Sequence, residues 1–83
     1  MTPITRESLF TAGFTEKNEN LFVFLAYGTP FGNCVEAQWR GYWHIAFCTN
    51  VNTMDFYDVG TMEQLKSIYN CWLPKGFTNK PML

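Results

Sequence analysis

The chain has 83 residues, a net charge of −1, and 16% charged against 47% apolar residues. That length holds one domain with a small core, and the apolar balance calls for a folded chain rather than a disordered one. Its Lys and Arg residues are scattered, so duplex DNA or RNA is not an expected partner, and no apolar run reaches the length of a membrane span.

The start, MTPITRESL, lacks a basic segment followed by an apolar one, so the expected compartment is the cytoplasm. Three cysteines without a C-x-x-C pair fit free thiols in a reducing environment. Eight Phe, four Tyr and three Trp exceed what so small a core readily buries. Some are therefore expected at the surface, where an aromatic patch marks an interface.

In chain order, TPITRESLFTAGF predicts a short helix. Thr5 caps it, Ile4 staples onto Leu9, and Gly13 suits the left-handed position after its end; a start at Thr2-Pro3 is the rival. TEKNEN (15–20) reads as a polar connector. Leu21 to Tyr27 is apolar on both alternating faces and rich in aromatic and β-branched residues, which predicts a central strand. GTPFGN (28–33) is turn chemistry.

Cys34 to Arg40 alternates, with Val35, Ala37 and Trp39 on one face and Glu36, Gln38 and Arg40 on the other. Arg40-Gly41 is a plausible tight turn. Tyr42 to Cys48 forms the next strand, with Trp43, Ile45 and Phe47 facing away from Tyr42, His44, Ala46 and Cys48. After a turn at 49–52, Thr53 to Val59 predicts a last strand with Met54 and Phe56 opposite Asp55 and Tyr57.

Thr61 to Trp72 carries the clearest helical signal. Thr61 and Gln64 make a capping box, and Met62, Leu65, Ile68, Tyr69 and Trp72 form one apolar stripe. Residues 1–73 are thus expected to form a single α+β domain of order α-β-β-β-β-α. It is a four-stranded antiparallel meander with the N-terminal and C-terminal helices packed on one face. Residues 74–83 are expected to be a largely irregular tail.

Candidate chemistry is sparse. Cys34, His44, Cys48 and Cys71 have no local ligand pair of zinc-knuckle spacing, and His44 and Cys48 are about 13 Å apart along one strand. No metal or cofactor is expected. The same distance argues against His44 activating Cys48, and no nucleophile elbow is present. Asp55 and Asp58 point to opposite faces of a regular strand, a poor geometry for an acid/base pair. The glycines match no phosphate or dinucleotide fingerprint, so an enzyme is not expected.

The aromatic set Trp39, Tyr42, Trp43, Tyr57 and Trp72 is the most informative feature. Trp39 and Trp72 are expected in the core, and at least one of Tyr42, Trp43 and Tyr57 at the surface. Tyr42, Trp43, Tyr57 and Arg40 are the candidate binding residues, because Trp, Tyr and Arg dominate interface energetics. The expected function is a non-enzymatic protein-interaction module using an aromatic sheet face or edge, with itself as the simplest partner in a homodimer. The alternative is a small-ligand or nucleotide-binding domain in which Tyr42, Trp43 and Arg40 stack on and neutralise the ligand.

The frame T-x-E-S-L-x-x-x-G-F at Thr5 to Phe14, with V-x-T-M-E-Q-L-K-x-I-Y at Val59 to Tyr69, resembles small uncharacterised proteins encoded by phages and mobile elements of gut bacteria. The resemblance implies an accessory role and no activity, and it assigns no functional residue. GTPFGN and the tail PKGFTNKPML lie outside the shared pattern.

Overall fold

Thr5 has extended backbone (φ −136°, ψ 169°) and closes a capping box with Ser8. Ser8 N–H donates to Thr5 Oγ1 at 3.0 Å and Thr5 N–H donates to Ser8 Oγ at 2.8 Å. The computed structural model, which describes residues 1–26, 34–49, 52–72 and 82, therefore starts helix α1 at Arg6–Ala12 rather than at Pro3. Gly13 ends the helix in the left-handed region (φ 109°). Gly13 N–H reaches Phe10 C=O and Phe14 N–H reaches Leu9 C=O, the paired bonds of a Schellman motif. That turn folds Phe14 back into the core, 5.4 Å from the Phe24 ring.

The strands are β1 (Thr15–Asn18), β2 (Leu21–Leu25), β3 (Cys34–Trp39), β4 (Trp43–Cys48) and β5 (Thr53–Phe56). They form one sheet in the order β1-β2-β3-β4-β5, with each neighbouring pair antiparallel. The meander thus has five strands, not the four expected, and the connector at 15–20 supplies the additional one. All four β1 side chains are exposed. An edge strand held by backbone bonds alone carries no apolar period, and the sequence pattern is silent about it.

Helix α2 spans Met62–Trp72. Gln64 N–H donates to Thr61 Oγ1, and Gln64 Oε1 accepts from the N–H groups of Thr61 and Gly60. One sheet face meets both helices. Phe22, Phe24, Val35, Ala37, Ile45 and Phe47 share a single buried core with Leu9 and Ala12 of α1 and Met62, Leu65 and Tyr69 of α2. Phe24 meets Tyr69 edge-on at 5.3 Å, and Phe47 meets Trp72 at 5.1 Å. Among the described residues, Phe10, Trp39, Tyr42 and Tyr57 stay exposed outside this core. Trp72 is half-buried against this core, but Trp39 is 39% exposed, because it closes the end of β3.

The chain start is clasped to α2. Met62 N–H donates to Thr2 C=O at 2.8 Å, and Glu63 Oε1 accepts from Thr2 N–H at 2.8 Å. The Thr2 bond holds the Glu63 carboxyl below its ordinary range. A lowered folded value means the clasp contributes fully above the ordinary carboxylate range and is lost as pH falls through the folded value. Glu63→Gln is therefore expected to flatten the acid limb of stability against pH, measured by urea unfolding at stepped pH, with its small loss falling near neutrality and vanishing at the acid end.

Among the described residues no helix is long and apolar enough to cross a membrane. The expected turn at 28–33 lies outside the described residues, as does the expected tail apart from Met82, which packs against the core.

Candidate functional site: the open face of the sheet

Register places three cross-strand rows on the face turned away from the helices. They are Leu21–Gln38–His44, Val23–Glu36–Ala46–Asp55 and Leu25–Cys34–Cys48–Thr53. The rows follow from the alternation of each strand, since paired residues in an antiparallel ladder point to the same side.

One end of this face is built around His44. Its Nε2 lies 2.9 Å from Asp55 Oδ1 on the neighbouring strand. With the proton on Nε2, the imidazole donates to that carboxylate. Tyr57 stacks on the imidazole with ring centroids 4.7 Å apart and planes at 21°. Tyr42 stands 6.4 Å from Tyr57. Tyr57 is 61% exposed and Tyr42 43% exposed. Arg40 is held beside them, its Nε and Nη2 donating to Gln38 Oε1 at 3.1 and 2.9 Å. Gly41, at φ 79°, turns the chain between Arg40 and Tyr42.

The four candidate binding residues therefore divide. Arg40, Tyr42 and Tyr57 gather at this end of the open face. Trp43 lies on the helix side, edge-on to Phe22 at 5.9 Å and 5.1 Å from Trp39. The Arg6 guanidinium sits over its ring at 6.0 Å and over Phe22 at 5.7 Å. The ligand-binding trio of Tyr42, Trp43 and Arg40 is split by the sheet.

The two aspartates also divide. Asp55 is engaged with His44, whereas Asp58 borders a hollow lined by Val59, Glu63, Gln64, Ser67 and Ile68 at α2.

All three cysteines are free thiols. Cys71 is exposed on α2, on the other side of the sheet from His44. Cys34 and Cys48 are direct cross-strand partners, with Glu36 next to them on β3. Burial, then the neighbouring Cys34 and Glu36, push the Cys48 thiol up to about 11. Burial and Glu36 raise Cys34 as well.

Neither the His44–Asp55–Tyr57 stack nor the Cys34–Cys48–Glu36 group is visible from local spacing, because each joins two strands. Comparison with family models, curated proteins and solved structures gives no match to this chain.

Proposed function

We propose that the protein is a non-enzymatic protein-interaction module. It takes an extended protein segment along the β5 edge, beside Tyr57 and Tyr42, and a second copy of this chain is its simplest partner. The observation that carries this reading is Tyr57, largely exposed yet locked on His44, which Asp55 holds in turn. A rigid exposed aromatic loses little entropy on binding, the property that makes Tyr a frequent hot spot.

The two sheet edges support the same surface. β1 bears Glu16 and Lys17 and a register shift between Glu16 and Asn18, devices that discourage strand addition. β5 is regular and bears neither Lys nor Pro. The bond from Thr49 N–H to Asn52 C=O sets its phase, so that Met54 and Phe56 bond to β4. Asp55 then turns its backbone N–H and C=O outward. A two-fold pairing centred on Met54 places Thr53 opposite Asp55 of the other copy and keeps the aspartates apart, with Thr53 N–H exchanging its bond to Asn52 Oδ1 for one across the pair.

An accessory role in a phage or mobile element of a bacterial host, acting in the cytoplasm, completes the reading. Its support is the Thr5–Phe14 and Val59–Tyr69 frame.

Light scattering across a wide concentration range should show the mass rising from one chain to two. Tyr57→Ala is expected to weaken association by about thirtyfold or more, the scale of a hot-spot residue, with the far-ultraviolet circular dichroism unchanged. A monomer at every concentration, or a dimer indifferent to both Tyr57→Ala and Met54→Lys, overturns self-association through this edge.

A further inference from the structure

The cysteine pair occupies the other end of the open face from Tyr57. The Sγ atoms of Cys34 and Cys48 and a carboxylate oxygen of Glu36 all lie within 4.8 Å of one another. Cys48 Sγ is 3.8 Å from Glu36 Oε1. Ala46, the cross-strand partner of Glu36, offers only a methyl group, so the carboxylate has room to lean toward the thiols.

What such a pair of thiols can do depends on the phase of the ladder. Arg40 N–H donates to Tyr42 C=O at 2.8 Å, which makes Arg40 and Tyr42 a hydrogen-bonded pair. Hydrogen-bonded and non-bonded pairs alternate, and the β3–β4 register runs without a shift from Trp39–Trp43 to Cys34–Cys48. Cys34 and Cys48 are therefore a hydrogen-bonded pair as well. In such a pair the Cβ atoms stand at the wide end of the range, about 5.5 Å. A disulfide needs about 3.5–4.5 Å, so direct oxidation would have to draw the ends of β3 and β4 together.

An ion fits the wider gap. Zinc bonds thiolate sulfur at about 2.3 Å, so tetrahedral geometry sets two sulfurs roughly 3.8 Å apart. The sulfurs, which lie within 4.8 Å of each other, are at most about 1 Å beyond that span.

We propose that Cys34, Cys48 and Glu36 form a binding site for a thiophilic divalent cation of the zinc class. Two thiolates and one carboxylate select a borderline-soft ion over magnesium or calcium. Three protein ligands leave a fourth position for water or for a donor from a bound partner. A doubly positive ion among these three groups favours the thiolate form, so binding displaces the thiol protons. The site takes nothing from His44 or Cys71 and uses no residue of the Tyr57 surface.

The test is cobalt titration of the reduced full chain, followed by displacement with zinc. A sulfur-to-cobalt charge-transfer band should saturate at one ion per chain. Zinc should bleach it and protect Cys34 and Cys48 from alkylation, read by peptide mass spectrometry, while Cys71 stays reactive. Cys71→Ser should keep the band and Cys48→Ser should abolish it. Glu36→Gln should weaken binding by more than about tenfold, the scale on which even outer-sphere partners act. The protection assay uses the unaltered chain, so it stands even if Cys48→Ser fails to fold. No charge-transfer band, a band that depends on Cys71, or ready air oxidation to a Cys34–Cys48 disulfide in place of metal binding overturns the proposal.

Discussion

Phe24→Ala is expected to remove about 3–5 kcal/mol of stability. Phe24 is fully buried in β2, and its ring meets Phe14 at 5.4 Å and Tyr69 at 5.3 Å. It is thus the side chain on which the end of α1 and the middle of α2 both rest. Truncation opens a cavity that neither helix can fill, since each is tethered by its own cap. A chain of this length holds in total about 4–12 kcal/mol, so the variant should lose at least a quarter of its margin. Urea unfolding followed by circular dichroism should show a lower midpoint with an unchanged slope. The next residue provides the control. Leu25 points to the open face and is 43% exposed, and Leu25→Ala should cost less than about 1 kcal/mol, well below a full core truncation.

Leu65→Asp is expected to leave the chain largely unfolded. Leu65 lies in the first turns of α2 with no solvent exposure, in the same core as Phe24 and Phe47. The substitution forfeits the apolar burial and also places a carboxyl where nothing pairs with it. An uncompensated buried charge costs several kcal/mol even after relaxation; protonation spares the charge but still leaves an unsatisfied polar group. Together these come to about 5–10 kcal/mol, comparable with what the domain holds, and the far-ultraviolet spectrum should be that of a largely unfolded chain. Ser67→Asp, two residues on and exposed, should stay within about 1 kcal/mol of the parent. Equal losses at both positions would mean that α2 does not bury the face assigned to it.

The helices were legible because their signals are local. Thr5 and Gly13 bracket α1, and the Thr61–Gln64 box starts α2, each within a few residues of chain. The central strands were legible because β3 alternates and β2 and β4 are apolar enough to be buried across most of their length. β1 was not, since TEKN turns all its side chains to solvent and its place is fixed by backbone bonds to β2. The site illustrates a subtler limit. Placing Val35, Ala37 and Trp39 on the same face as Trp43, Ile45 and Phe47 already demands paired positions whose numbers add to an even total. A two-residue Arg40-Gly41 turn gives an odd one. The loop instead has three residues centred on Gly41, so that Trp39 pairs with Trp43 and Cys34 with Cys48. The thiol pair was thus implicit in the alternation, hidden by the choice of turn. Tyr57 on His44 was less accessible, because it depends on how the chain leaves β5.

The register shift in β1 has a consequence for stoichiometry. A sheet with two receptive edges can add neighbours on both sides and grow without limit, as fibrils do. Here one boundary is interrupted by the shift beside Lys17, and among the described residues β5 is the regular edge that the proposed pairing uses. Joining β5 to β5 uses up the regular edge of both copies and leaves an interrupted edge at each end. Association by this route closes at two chains, with ten strands in a continuous sheet, and cannot propagate.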